Sequence, residues 1–375
     1  MALLTLKSAI SDGAQAQHPI SLKVHSRAGR AAPLKCRVVP AEGRDVSTSP
    51  RLFGRLAVVV VAALVLLQLQ ASAATTGRVS RPLAERVQIG AFVDGMQDDP
   101  ARLAAWEAEV GGRAEIASYY YGYGDVFPAR TERVFSDGGT RKVLLSWDMG
   151  PTRFAEWTAG DHNAYLDQIA AAARAYPYDA YVRPWPEMNG DWQTFQPTAD
   201  GSRVHGGTYA EFRQAWRYVV TYLRNRGADN LRWVFNPTAD TYAETTPVSR
   251  IWPGAAYVDV LGLDGFNWGR DAGWGRWKSF PQIFGEQYAE LTALHPRAPV
   301  WICEVSSKEP LTDDGAPVDT DRDKGAWVRT MFDHLGMPRL RAIVWFDADK
   351  ERDWRATSSR ASIRQWRRAM AEAAS

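Results

Sequence analysis

The chain is predicted to be an α/β protein, a (β/α)8 TIM barrel preceded by a signal peptide and a disordered N-terminal extension. Three observations predict the barrel. Short runs rich in apolar, β-branched and aromatic residues recur from residue 86 onward, longer amphipathic stretches separate them, and eight such units fill about 290 residues. Alternation of this kind gives parallel strands with crossover helices, and eight units in a barrel take about 250 residues. An open doubly wound sheet would alternate in the same way, but no Gly-rich phosphate loop follows the first run.

The elements follow in order. The first run is Val87–Val93 (VQIGAFV); Asp99-Pro100 then opens a helix that Gly111 closes. Glu115–Tyr121 (EIASYYY), Lys142–Trp147 (KVLLSW) and Ala180–Trp185 (AYVRPW) are the next three runs. Thr208 and Glu211 form a capping box for a helix that ends near Gly227. Leu231–Asn236 (LRWVFN) and Val258–Leu263 (VDVLGL) come next, and Ser279 with Pro281 starts another helix. Val300–Val305 (VWICEV) and Ala342–Phe346 (AIVWF) complete the set. Trp106, Trp216 and Trp366 sit at helical spacing, where burial is the expected role. No internal repeat beyond the βα unit is evident.

Composition bounds the function. The 375 residues are 45% hydrophobic and 23% charged, an ordinary globular balance. The formal net charge of +2 conceals a basic first 56 residues and a near-neutral remainder, so nothing calls for nucleic acid. Two cysteines, Cys36 and Cys303, cannot form a disulfide framework, and Cys303 reads as a small buried hydrophobe.

Leu56 to Leu67 is uninterrupted apolar, with Arg51 and Arg55 before it and Ala71-Ser72-Ala73-Ala74 after it. A spanning helix needs about 20 apolar residues, whereas a signal core needs about 7–15 and a small-residue cleavage site. Residues 51–74 are therefore expected to be a signal peptide cleaved near Ala73-Ala74, the alternative being an N-terminal membrane anchor. Residues 1–50 read as a disordered extension or the product of an upstream start codon. The barrel is expected over residues 80–375.

Barrel enzymes place reacting groups at the C-terminal ends of strands. The fourth run leads into Arg183-Pro184-Trp185-Pro186-Glu187-Met188-Asn189-Gly190-Asp191-Trp192, and the seventh ends in Trp301-Ile302-Cys303-Glu304-Val305. Two carboxylates thus face one mouth from opposite sides of the barrel. Glycoside cleavage needs such a pair: a proton donor for the leaving oxygen and a second carboxylate, about 5–5.5 Å away, to attack the anomeric carbon. A negative Glu304 would keep Glu187 protonated until a glycosyl ester forms, after which Glu187 would activate water. A single glutamate at a strand end is more simply a loop salt bridge, which Arg183 could supply; the pair among tryptophans is harder to explain that way.

The segment RPWPEMNGDW resembles the acid/base motif of glycoside hydrolase family 26, the β-mannanases and related β-glucan and β-xylan hydrolases of the clan with two catalytic glutamates on the fourth and seventh strands. The resemblance continues through Val258–Gly269, Ile302-Cys303-Glu304 and Val344-Trp345-Phe346-Asp347, with Lys350 and Trp354, and covers everything after the leader. It implies Glu187 as acid/base, Glu304 as nucleophile, Trp192 as a subsite wall and Trp345 as the stacking platform beneath the cleaved sugar. Sugars pack their C–H faces on aromatic rings, which gives such tryptophans a physical reason. Two positions depart from the family pattern: Pro186 stands where a His is usual, and Phe266 where a Tyr usually bonds the nucleophile. Their loss is expected to remove hydrogen bonds that orient Glu304.

Trp268 and Phe266 are further candidate sugar contacts. Arg183, Asn189, Asp264 and Asn236 are candidate polar groups of the site. Arg183 is read evenly as orienting a carboxylate or as an ion pair inside the barrel. Asn236 is expected to cap a loop, the alternative being donation to a sugar hydroxyl. Tyr121, Tyr123 and Asp148 end the second and third runs and carry less weight as contacts for distant sugars.

No metal or cofactor is expected. His162, His205, His295 and His334 are scattered without ligand spacing. Asp319-x-Asp321-x-Asp323-x-Gly325 begins like a calcium loop, but Thr330 holds its twelfth position and the Gly is one residue late, so a solvated loop before a helix is the expectation. The expected protein is a secreted, monomeric endo-β-glycanase acting on β-1,4-mannan, with no obligate protein partner. The alternatives are the same chemistry on β-1,3/1,4-glucan or xylan, and a carbohydrate-binding barrel with little or no turnover.

Overall fold

The computed structural model describes residues 87–240, 244–270, 275–310 and 319–374. The leader, its cleavage site, the first 50 residues and Cys36 lie outside them. Among the described residues, no helix is long and apolar enough to cross a membrane.

The apolar runs form eight strands: β1 (Gln88–Val93), β2 (Ile116–Tyr121), β3 (Lys142–Trp147), β4 (Ala180–Pro184), β5 (Leu231–Phe235), β6 (Val260–Asn267), β7 (Val300–Ser307) and β8 (Leu340–Asp347). They pair in parallel in chain order, and β8 closes on β1 from Gln88↔Ala342 to Val93↔Asp347. The predicted barrel is the observed fold. β6 and β7 run beyond their predicted ends at Leu263 and Val305, because both continue through inward polar residues that a hydropathy reading takes for the end of a strand.

Around the sheet run α1 (Ala101–Val110), α2 (Arg130–Phe135), α3 (Phe154–Ala159), α4 (Asn163–Ala175), α5 (Tyr209–Arg224), α6 (Val248–Ile251), α7 (Phe280–Leu294), α8 (Lys324–Asp333) and α9 (Arg360–Ala374). Their ends obey the sequence signals. Gly111 closes α1 in the left-handed region at φ 78°, a conformation that costs glycine little. Thr208 accepts from Glu211 N–H while the Glu211 carboxylate accepts from Thr208 N–H at 2.7 Å, so two otherwise unpaired donors at the start of α5 are satisfied. Asp323 caps α8 through Ala326 N–H. Asp319, placed by the sequence in a solvated loop, is instead 3% exposed and accepts from Arg270 N–H at 2.8 Å.

Alternation along the strands divides the core in two. Ile116, Leu144, Val234, Val260, Trp301, Cys303, Ala342 and Val344 form a cluster made of strand residues alone, which is the filling of the barrel. Their neighbours on the same strands, such as Leu145, Phe235, Leu261 and Ile343, pack with helix residues including Trp106, Trp216 and Trp366, all three buried as expected. One strand breaks the alternation. Register between β6 and β7 passes from Leu263↔Ile302 to Asp264↔Glu304, leaving Cys303 as an extra residue. This bulge lets Glu304 follow Cys303 into the barrel, where strict alternation would have turned it toward the helices.

Candidate active site

Glu187 stands on a turn beyond β4 that is held in an uncommon conformation. Trp185 and Glu187 both have positive φ, 48° and 54°, which costs a non-glycine residue about 1–3 kcal/mol each and persists only where surrounding contacts impose it. Those contacts are present. The Trp185 ring is wedged among Phe154, Trp157, Phe212 and Trp216, and Glu187 N–H donates to Asn236 O at 2.9 Å. Asn189 staples this loop to the next: its amide donates to Thr238 O and accepts from Thr238 N–H. The Trp192 indole folds back over Gly190 and donates to Glu187 Oε2 at 3.1 Å. A Cβ on Gly190 would lie 2.6 Å from that ring, which is why glycine is needed there.

Glu304 is held from two directions. Arg183, wholly buried, donates through Nη2 to Glu304 Oε1 at 2.5 Å and through Nη1 to Asp264 Oδ2 at 2.7 Å. Burial opposes the guanidinium charge, but Asp264 and Glu304 outweigh it and push the Arg183 pKa further up. The two readings of Arg183 therefore merge: it is an ion pair inside the barrel and it orients the carboxylate. Tyr120, from β2, donates its hydroxyl to the same Glu304 oxygen at 2.5 Å. Burial and the Glu304 charge push the phenol pKa up, so it remains a donor.

Carboxylate oxygens of Glu187, Asp264 and Glu304 lie within 4.8 Å of one another. Such a cluster has the donors for a cation, but Arg183 already stands between two of its members as their counter-charge. The arrangement suits proton transfer and nucleophilic attack.

Phe92, Phe346, Ala348 and Trp354 pack into a cluster at the mouth, bordered by Tyr120, Phe266 and Trp268. Phe266 and Trp268 are partly exposed and meet the Trp354 ring at 5.2 and 4.9 Å.

Several predicted residues occupy other roles. Trp345 is not a platform: it is 0% exposed and packs on Trp327 of α8 and Trp366 of α9. Ala342 and Val344 point into the barrel, so alternation sends Trp345 to the helices and Phe346 to the mouth. Asn236 is also fully buried; it caps no exposed loop, and its carbonyl anchors Glu187 instead. Arg183, Asn189 and Asp264 are likewise enclosed and act on the site through the carboxylates and loops they hold. Tyr121 turns outward to Glu132 at 2.7 Å, and Tyr123 bonds His162.

Tyr120 was missed because EIASYYY gives no phase. A strand buried on both faces lacks the polar alternation that would say which tyrosine points inward. The signal available was Ser118, a small polar residue two positions before it.

The sequence model described as glycosyl hydrolase family 26 matches residues 143–321. The chain is 28% identical to endoglucanase H of Acetivibrio thermocellus over 76% of its own length and 30% of the relative's. It is 34% identical to a mannan endo-1,4-beta-mannosidase of Bacillus subtilis strain 168 over 28% of each chain. The chain thus spans less than a third of the length of these two relatives. Among solved structures it shares its fold with a Bacillus subtilis mannanase, at TM-score 0.52 and 19% identity over 75% of this chain and 85% of that one. A second is GH26C of a Muricauda species, at TM-score 0.53 and 15% identity over 77% and 86%. The matched segment runs from β3 through β7 and contains both glutamates, so over residues 143–321 the chain is similar to glycosyl hydrolase family 26.

Proposed function

We propose that this chain is an exported, retaining endo-β-glycanase that cleaves β-1,4-mannan by double displacement. The observation that carries the reading is the approach of Glu187 and Glu304 oxygens to within 4.8 Å, from the ends of the fourth and seventh strands. Retaining glycosidases hold their carboxyl groups about 5–5.5 Å apart, whereas inverting ones leave about 6.5–9.5 Å for a water.

In the first step Glu304 attacks the anomeric carbon, an ester bond forms, and the bond to the leaving oxygen breaks as Glu187 protonates that oxygen. In the second, Glu187 takes a proton from water, the water oxygen bonds to the anomeric carbon, and Glu304 departs as a carboxylate. An indole N–H can only donate. Since Trp192 donates to Glu187 Oε2, that oxygen acts as acceptor and the transferable proton sits on Oε1.

The mannan reading is supported by mannosidase relatives of 33–38% identity over part of the chain. A mixed-linkage glucan is the second reading, supported by the alignment of endoglucanase H over 76% of the chain. Export is supported by residues 51–74, with their basic flank, short apolar core and small-residue site.

The test is reducing-end release from galactomannan, glucomannan, barley-type β-glucan and xylan, with Glu187→Gln and Glu304→Gln alongside. Release from a mannan that both variants abolish is expected. Release from β-glucan alone would move the assignment to the second reading, and binding without release would replace it with a carbohydrate-binding barrel. N-terminal sequencing of the exported protein should give a start near Ala74.

A further inference from the structure

We propose that Tyr120, locked in place by Gln97, positions Glu304 together with Arg183, supplying from β2 the hydroxyl that Phe266 cannot supply from β6. The proposal rests on Glu304 being the nucleophile of the proposed glycanase. Phe266 lies two residues beyond Asp264 on the same inward face, and its ring packs on Phe346 at 5.6 Å and Trp354 at 5.2 Å. It has no polar atom to offer. Tyr120 borders the same aromatic cluster and brings its hydroxyl to 2.5 Å from Glu304 Oε1.

The placement is imposed from three sides. Pairing between β1 and β2 runs through Gly90↔Ile116 and Ala91↔Ala117, short of Tyr120. There the Gln97 side chain takes the part of a neighbouring strand: Nε2 donates to Tyr120 O at 2.9 Å, and Oε1 accepts from Tyr120 N–H at 3.3 Å. The Tyr120 ring meets Phe92 edge-on at 5.0 Å and 84°. The Arg183 guanidinium stands 5.7 Å from the centre of the ring. A donor whose backbone and ring are already fixed loses little entropy on making its bond, and so directs its acceptor at low cost. Arg183 reaches Glu304 from β4 and Tyr120 from β2, and two donors from different strands define the carboxylate orientation better than one shared guanidinium.

The first readout is independent of turnover: carbon NMR of the glutamate carboxyls through a pH titration, with the Glu304 signal identified by its loss in Glu304→Gln. Tyr120→Phe, which removes only the hydroxyl, is expected to raise the Glu304 midpoint by about one unit, because a carboxylate that loses a donor ionises less readily. Gln97→Leu should move it in the same direction, and stands in if Tyr120→Phe does not fold. On the polysaccharide that the wild type cleaves, Tyr120→Phe is expected to lower kcat by about 10- to 100-fold with KM little changed. Phe266→Tyr in the Tyr120→Phe background should restore part of that loss, which a merely structural Tyr120 would not permit. An unchanged midpoint together with kcat within about twofold of wild type would overturn the proposal. A wild type that cleaves none of the polysaccharides would instead refute the glycanase reading, while the NMR midpoint would still decide what Tyr120 does.

Discussion

Arg183 and Glu304 meet at 2.5 Å in the floor of the barrel mouth, both almost wholly enclosed, with Asp264 2.7 Å away on the guanidinium's other arm. One buried cation therefore balances two buried carboxylates. Removing one partner of a buried pair leaves charge without compensation and costs about 3–5 kcal/mol. Arg183→Met should lose at least that much stability in a urea titration, since it strands two carboxylates. A loss below about 1 kcal/mol, the size of a surface pair, would show that the site tolerates the charge by other means.

Trp192 joins Glu187, the proposed acid/base, to its loop. Trp192→Phe keeps an aromatic ring, though a smaller one, and removes the N–H, so kcat/KM is expected to fall at least about tenfold, the worth of one hydrogen bond. The basic limb of the pH–rate profile should move to higher pH, because the lost donor favoured the carboxylate form of Glu187. Gly190→Ala displaces the same ring, and combining the two changes should cost no more than the larger alone. Full additivity in that cycle would mean that Gly190 acts through something other than Trp192.

Which parts of this site were legible in the sequence follows from the physics of each signal. Glu187 and Glu304 were readable because each ends an apolar run, and a barrel gathers strand ends at one mouth. The helix boundaries at Gly111 and Thr208 were readable because capping chemistry is local. The facing of side chains was not. Trp345 was assigned to the sugar and packs on helices, while Tyr120 was overlooked and reaches Glu304. In a strand buried on both sides the two faces are equally apolar, and one bulge, here at Cys303, reverses the phase for every residue beyond it.

Trp345 accordingly behaves as core. Trp345→Ala should cost about 3–5 kcal/mol in denaturant, as for other buried aromatics, and leave KM for polysaccharide unchanged. A raised KM with intact stability would restore Trp345 to the cleft.

Asp347 supplies a pH signature. Burial is the main cause that pushes its carboxyl up to about 6, against Ala356 N–H, Lys324 and Trp106, which favour the charged form. Between about pH 4 and about pH 6 the folded protein holds a proton that the unfolded chain has released, so this group's contribution to stability declines as pH rises through that window. Asp347→Asn has no such decline. Relative to wild type, its urea midpoint should therefore improve between about pH 4 and about pH 7. A constant difference across that range would place the Asp347 carboxyl in its ordinary range.

The most direct test of the two-glutamate account is the configuration of the first sugar released. Proton NMR during the opening minutes of hydrolysis of a β-linked oligosaccharide, before mutarotation, resolves the two anomers at the new reducing end. Attack by Glu304 followed by water activated by Glu187 predicts the β-anomer first, with the α-anomer appearing only as mutarotation proceeds. Initial appearance of the α-anomer would mean a single displacement by water, and would contradict the assignment of Glu304 as nucleophile.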